Sequence, residues 1–82
     1  MDKESVLIDY VKKEIMHGRN VEIKPDDDLL QQGILDSLGI LQLVAFIERQ
    51  FGIQVPDEGV VFENFYSVNA LAGYLDTLEA AK

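Results

Sequence analysis

Apolar residues recur at the three-to-four-residue spacing of an amphipathic helix in three stretches of the chain. These stretches predict main helices over residues 3–17, 37–50 and 68–80, each with one apolar stripe facing a core. The stripes are Leu7, Ile8, Val11 and Ile15; Ile40, Val44, Ile47 and Phe51, with Leu43 beside them; and Val68, Leu71, Leu75 and Leu78.

Capping and stop residues stand at the ends of these stretches. Asp2 is a predicted N-cap for the first helix, and Ser67 is the predicted cap of the last one. Gly18 and Gly52 are predicted to end the first and second helices in the left-handed conformation. A single helical turn around residues 63–65 is predicted as a short fourth helix.

A long connection covers residues 18–36. Pro25 and the aspartates at 26–28 argue against a strand there. Four apolar residues predict an ordered loop that packs on the core: Leu29, Leu30, Ile34 and Leu35. The expected fold is therefore all-α: one domain over residues 1–82, a small antiparallel bundle of three main helices plus a short fourth. The long loop joins the first and second main helices.

Composition excludes several function classes. The 82 residues include no cysteine and one histidine, so a transition-metal site is not expected. The net charge is −8, and residues 26–63 hold eight acids and one base, Arg49. Such a field repels nucleic acid and favours a basic protein partner. Neither a membrane span nor a signal peptide is recognisable, so we expect a cytoplasmic monomer.

The outer face of the second helix is unusual for a solvated surface. It carries Leu38, Gln42, Ala45 and Arg49, flanked by Leu41 and Phe46. A solvated helix face is normally charged, whereas this face is largely apolar or neutral. The pattern indicates either a docking surface or a helix buried on several sides.

Ser37 stands where the polar loop gives way to the second helix. Its hydroxyl can be a helix cap worth about 1 kcal/mol, a nucleophile, or a site of covalent modification. A nucleophile needs a base within hydrogen-bond reach, and the single histidine, His17, lies at the end of another helix. We therefore expect no enzyme activity, although a small hydrolase using Ser37 is a testable alternative. Capping and modification both stay open on the residues alone.

The whole chain resembles the carrier-protein family of acyl, peptidyl and D-alanyl carrier proteins. The residues that carry the resemblance are 33–38 (Gly-Ile-Leu-Asp-Ser-Leu), 28–30, 55–57 and 67–68. The resemblance implies that a phosphopantetheinyl transferase attaches 4′-phosphopantetheine covalently to Ser37, between Asp36 and Leu38. An acyl or aminoacyl group would then travel between partner enzymes as a thioester on that arm.

The resemblance also implies a partner face on the second helix, consisting of Leu38, Leu41, Gln42, Ala45, Phe46, Glu48 and Arg49. Fatty-acid carriers typically place acids near the start of this helix, where this chain has Gly39 and Gln42. Residues 33–37 and 62–67 look more like freestanding D-alanyl or aminoacyl carriers, which a separate adenylating ligase loads and a downstream acyl-accepting enzyme unloads. The alternatives are a conventional carrier for fatty-acid or polyketide-type synthesis and an unmodified protein-interaction module.

Overall fold

The computed structural model describes residues 2–16 and 22–80, and every regular element in these ranges is helical. The elements are α1 (Lys3–Tyr10), continued by a π-helical turn (Val11–Ile15); α2 (Ser37–Phe51); a 3₁₀ turn (Asp57–Gly59); α3 (Phe62–Phe65); and α4 (Val68–Ala80). The predicted all-α bundle of three main helices and a short fourth is confirmed. The predicted stop at Gly18, and His17, lie outside the described residues.

The start of α1 is fixed by Asp2 and by α4. The Asp2 carboxylate accepts a hydrogen bond from the Ser5 amide at 2.8 Å, which confirms the predicted cap. The same backbone bond is the main reason that the pKa of Asp2 lies below its usual range. Lys3 donates to Asp76 at 3.1 Å and also pairs with Glu79, so α1 is tied to the last helix.

The π-helical turn changes which residue after Val11 is buried in the core. Its closing bond runs from the Met16 amide to the Val11 carbonyl at 2.8 Å, five residues apart. The buried series is therefore Leu7, Val11 and Met16, with spacings of four and five. Ile15, which the regular stripe placed on the core face, is only half-buried. The extra residue in the turn is the physical reason for this difference.

α2 ends as predicted, because Gly52 adopts the left-handed conformation with φ of 68°. Its buried face consists of Ile40, Leu43 and Ile47. Val44 and Phe51 are half-buried, so the face is centred on Leu43 rather than on the i, i+4 series that the sequence suggested. The spacing i, i+3, i+7 is the one that packs against the neighbouring helices.

The described part of the long connection, from residue 22 onward, packs on the bundle as predicted. Leu29 and Leu35 are buried beneath it. The Leu29 amide donates to the Tyr66 carbonyl at 2.7 Å, and the Asn69 amide donates to the Pro25 carbonyl at 2.9 Å. The loop therefore sits against the corner between α3 and α4.

That corner is closely packed. Phe65 and Ser67 are both buried, and the Ser67 hydroxyl accepts from the Ala70 amide at 3.1 Å, which confirms its capping role. Gly59 lies under the Tyr74 ring so closely that a β-carbon there would overlap the ring. The Asn64 side chain donates to the Gly59 carbonyl at 2.9 Å. The 3₁₀ turn and α3 are thus fixed against α4, next to the start of α2.

Candidate functional site around Ser37

Ser37 is the first residue of α2, and its neighbour Asp36 performs the capping. The Asp36 carboxylate accepts from the Gly39 amide at 2.8 Å while its carbonyl accepts from the Ile40 amide at 2.9 Å. The capping alternative for Ser37 is therefore wrong. Ser37 is exposed, and its hydroxyl makes no hydrogen bond to any residue that the structure describes.

The end of α2 offers an environment that suits an anion. The first intrahelical bond is made by Ile40, so the amides of Ser37 and Leu38 precede it and point out of the helix end. Free amides and the helix dipole favour negative charge at this position. A phosphodiester on the Ser37 hydroxyl would lie beside both amides, so the residues present fit that group.

Packing explains why the residue two positions after Ser37 is a glycine, Gly39. A β-carbon at Gly39 would lie 2.8 Å from Cδ1 of Leu35, which is itself buried. It would also lie 3.4 Å from the capping oxygen of Asp36. The side chain of Leu35 therefore covers the first turn of α2, and any larger residue at position 39 must displace it.

Two grooves flank the serine. One, of about 180 Å³, lies between α2 and the segment around α3 and is lined by Ser37, Ile40, Leu41, Val60 and Phe62. The other, of about 210 Å³, lies between α2 and the π-helical turn and is lined by Glu14, Ile15, Ile34, Asp36, Leu38, Gly39 and Gln42. The first groove borders the hydroxyl itself and is largely apolar.

Sequence reasoning did not place Val60 or Phe62 beside the serine. Phe62 is 58% exposed, as is Leu41 on the opposite wall of the groove. In the sequence, an aromatic residue in a short helix is more simply interpreted as part of the core. Only the packing of α3 against the start of α2 shows that Phe62 is a surface residue next to Ser37.

Six of the seven residues predicted to form the partner face are exposed. Five of these six have no side-chain hydrogen bond, ion pair or ring contact within the described residues. Among the described residues, Leu38 is the most exposed of the large apolar side chains, at 65%. The other four are Leu41, Gln42, Ala45 and Arg49. They form a continuous strip along α2 that begins beside Ser37. Their role in partner binding stays a prediction.

The remaining two members of the predicted face have contacts within the protein. The half-buried Phe46 stacks on Tyr10 with ring centroids 4.0 Å apart and meets Phe51 edge-on at 6.3 Å. The Glu48 carboxylate accepts from the Val55 amide at 3.2 Å, which holds the segment after α2. Both side chains therefore stabilise the fold, whatever they contribute to a partner.

In residues 2–16 and 22–80, no group of three or more histidines, cysteines or acids is arranged to hold a metal ion. No helix in these same ranges is long and apolar enough to cross a bilayer.

Comparison with known proteins gives the chain its family. The sequence model described as "Phosphopantetheine attachment site" matches residues 5–75. The chain is similar to D-alanyl carrier proteins of Streptococcus suis (28% identity over 98% of this chain and 100% of the relative) and Streptococcus equi subsp. zooepidemicus (31% over 99% and 100%). That of Bacillus velezensis is 39% identical over 66% of this chain and 67% of the relative.

A solved structure gives the same result at the level of the fold. The chain superimposes with a TM-score of 0.78 and 31% identity on a chain of the structure reported as "Crystal structure of FAD-dependent dehydrogenase", covering 87% of this chain and 100% of that one. Together with the family match over residues 5–75, these similarities identify the function and the cofactor. The chain belongs to the phosphopantetheine attachment family: it is a carrier protein whose cofactor is covalently bound 4′-phosphopantetheine.

Proposed function

We propose that residues 1–82 act as one carrier domain and that the Ser37 hydroxyl is its point of attachment. The observation that carries this proposal is the division of labour at the start of α2. Asp36 caps the helix through the Gly39 amide at 2.8 Å, and the adjacent hydroxyl is exposed and unused. A modifying enzyme can reach this oxygen without breaking any hydrogen bond that stabilises the bundle.

The modification is a phosphoryl-type transfer from coenzyme A. The Ser37 oxygen forms a bond to the phosphorus that bears pantetheine, and the bond from that phosphorus to the bridging oxygen breaks, so adenosine 3′,5′-bisphosphate leaves. The hydroxyl proton passes to a base of the transferase, since no described side chain accepts a hydrogen bond from the Ser37 hydroxyl. When bound, the group supplies a terminal thiol that holds acyl or aminoacyl cargo as a thioester.

The residues around Ser37 position the product of this reaction. The amides of Ser37 and Leu38 lie where they can donate to phosphate oxygens. The Asp36 carboxylate is held by the Gly39 amide, which lowers its repulsion of a phosphate. Leu41 and Phe62 form an apolar rim at the groove beside the hydroxyl. The site thus binds an anion at one end and offers partner enzymes apolar contact at the other.

Intact-mass measurement after incubation with coenzyme A and a broad-specificity transferase tests the attachment. The wild-type chain is expected to gain one phosphopantetheinyl group, and Ser37→Ala is expected to gain none. Ser5→Ala is the matched control, because Ser5 is also an exposed serine near a helix start. An unmodified wild type, or modification of Ser37→Ala, would contradict the proposal.

We further propose that the cargo is an amino acid, with D-alanine as the first candidate, and that a separate adenylating ligase loads it. The support is similarity to D-alanyl carrier proteins that this chain matches over almost its whole length. The absence of an acid at Gly39 and Gln42 favours this subclass over fatty-acid carriers. The catalysis belongs to the transferase, the ligase and an acyl-accepting enzyme, and the carrier works with them as a cytoplasmic monomer.

Loading of the modified protein tests the subclass. With ATP, a D-alanine-activating ligase and D-alanine, the expected product is a single alanyl thioester that hydroxylamine releases. A malonyl transferase of fatty-acid synthesis is the comparison enzyme and is expected to load poorly. Efficient malonyl loading without alanyl loading would favour the conventional acyl-carrier alternative instead.

A second candidate for the downstream step comes from the fold comparison. A chain that this protein covers completely occurs in a structure reported for an FAD-dependent dehydrogenase. An enzyme of that class would remove two hydrogens from the tethered acyl group and pass them to its flavin. Incubating loaded carrier with such a dehydrogenase and measuring the cargo mass distinguishes oxidation from simple transfer.

A further inference from the structure

A third and larger cleft lies between α1 and α2, further along the bundle from Ser37. Its volume is about 450 Å³, and it is lined by Tyr10, Glu14, Gln42, Ala45 and Arg49. Three of these lie on the exposed strip of α2, but Tyr10 and Glu14 come from the end of α1 and from the π-helical turn. The predicted partner face included neither of them.

The wall of this cleft is fixed by aromatic packing. The Tyr10 ring stacks on Phe46 with centroids 4.0 Å apart, and its hydroxyl donates to the Gln42 carbonyl at 3.4 Å. Phe46 in turn meets Phe51 edge-on. Such contacts between α1 and α2 hold the two sides of the cleft at a set separation. The cleft is therefore a preformed surface feature.

Two charges of opposite sign, Glu14 and Arg49, face this cleft, and neither has an ion-pair partner among the described residues. Within the described part of the chain, Glu14 and Arg49 form no ion pair with each other or with any other residue. Both nevertheless act on the Tyr10 hydroxyl: burial raises its pKa, Glu14 raises it further, and Arg49 lowers it. An acid and a base thus border one surface without neutralising each other.

The two charges are separated along the axis of α2. Glu14 also lines the groove beside Leu38 and shares Gln42 with the cleft, so it marks the end nearer Ser37. Arg49 lies seven residues beyond Gln42, a rise of about 10 Å along the helix. The uncharged Ala45 lies between them. The ammonium and carboxylate of a free amino acid share one carbon and cannot reach both ends.

We propose that this cleft binds an amphipathic helix of a partner enzyme, in which a basic and an acidic residue lie two turns apart. Two turns span about 10 Å, which matches the rise from Gln42 to Arg49. The basic residue meets Glu14, the acidic residue meets Arg49, and small apolar side chains lie over Tyr10 and Ala45. The acidic end of the cleft is nearer Ser37. The two charges therefore fix which end of the partner helix lies towards the phosphopantetheine attachment site. The statement that the partner is an enzyme rests on the proposed function, whereas the charge pattern of the cleft is independent of that proposal.

Three synthetic helical peptides in one alanine-rich host test the proposal. They carry lysine and glutamate, two lysines, or two glutamates, in each case seven residues apart. The full-length protein is titrated with each peptide, and dissociation constants are taken from the amide NMR shifts of Gln42 and Ala45. The mixed peptide is expected to bind about fivefold more tightly than either like-charged peptide, since one attractive pair replaces one repulsive pair. The double-lysine peptide is a stringent comparison because the protein has a net charge of −8.

Variants of the two charges should change the preference. Arg49→Glu is expected to favour the double-lysine peptide, and Glu14→Lys the double-glutamate peptide. Glu58→Gln and Lys24→Gln change the net charge of the protein away from the cleft and are expected to leave the preference unchanged. Ser37→Ala should also bind normally, so a failure of the attachment proposal would leave this test intact.

Three results would overturn the proposal. They are no detectable binding of the mixed peptide, equal binding of the double-lysine peptide, and shifts confined to residues outside the cleft. Raising the salt concentration should weaken the preference for the mixed peptide, because both pairs are exposed.

Discussion

The Asp36 carboxylate accepts the Gly39 amide hydrogen bond at 2.8 Å, across the first turn of α2. This contact assigns the cap of the helix start to Asp36, and the hydroxyl of its neighbour, Ser37, is exposed and forms no hydrogen bond within the described residues. Two adjacent polar residues that look equivalent in the sequence therefore have separate physical roles.

Asp36→Ala is expected to lower the free energy of unfolding by about 1 kcal/mol, because the cap is lost. Asp36→Asn should lose less, since asparagine caps helices about as well as aspartate. Ser37→Ala should change stability by no more than about 0.5 kcal/mol. Urea denaturation of the three variants measures these differences. A Ser37→Ala loss as large as that of Asp36→Ala would show that the serine contributes to the cap.

Gly39→Ala and Gly73→Ala form a matched pair of glycine replacements within helices. At Gly73 a β-carbon meets nothing within 4 Å, so alanine should stabilise the protein by about 0.5–1 kcal/mol. At Gly39 it would lie 2.8 Å from Leu35, and overpacking of about 1–3 kcal/mol should outweigh the same gain in propensity. Thermal or urea unfolding should therefore give opposite signs. Stabilisation by both replacements would mean that Leu35 moves aside easily.

The decrease in the free energy of unfolding at alkaline pH should depend on Tyr10. Burial, then Glu14, raise the pKa of this phenol above its ordinary value of 10.0. The folded state then holds the proton more tightly than the unfolded state does, so this contribution is complete below pH 10 and is lost as pH rises through the folded pKa. Stability measured from pH 8 to pH 11 should fall less for Tyr10→Phe than for the wild type.

The two charges at the cleft give this titration an internal check. Glu14→Gln should bring the pKa of Tyr10 down, and Arg49→Gln should raise it further, since each removes one of the opposing effects. Ultraviolet absorbance of tyrosinate follows both variants. A Tyr10 pKa that stays the same in both variants would contradict the placement of Glu14 and Arg49 beside the Tyr10 hydroxyl.

Glu48 should affect local stability independently of any partner. Glu48→Ala removes the acceptor of the Val55 amide, so exchange of that amide should become faster and the protein should lose about 1 kcal/mol. Glu48→Gln keeps an acceptor and should retain most of the stability. Loss of partner affinity in Glu48→Gln without loss of stability would confirm the predicted partner role, and unchanged affinity would exclude it.

The amphipathic patterns and capping residues were sufficient to predict the architecture. Asp2, Ser67 and Gly52 each act where the sequence predicted them. These residues act over a single turn, so their effect is visible in the local sequence. Three of the four residues in the predicted α4 stripe, Val68, Leu71 and Leu75, are buried, and Leu78 is half-buried at the end of the helix.

The features that the sequence did not reveal depend on tertiary contacts. A π-helical turn, with hydrogen bonds between residues five apart, has no signature in the pattern of apolar residues. That Met16 rather than Ile15 is buried in the core was therefore not predictable. Phe62 lies beside Ser37 only because α3 packs there. The cleft at Tyr10 likewise requires α1 and α2 to lie side by side. Local sequence patterns therefore predict the helices, whereas the surfaces between the helices depend on how the helices pack.

The two hydrogen bonds that join the long connection to the α3–α4 corner have a consequence for how the molecule opens. The Leu29 amide binds the Tyr66 carbonyl, and the Asn69 amide binds the Pro25 carbonyl. These bonds join segments about forty residues apart in the chain, so we expect the two segments to separate as one unit. In native-state hydrogen exchange, the amides of Leu29 and Asn69 should share one opening free energy, as members of a single cooperative unit. The segment that leads into Ser37 would then share the protection of the start of the last helix.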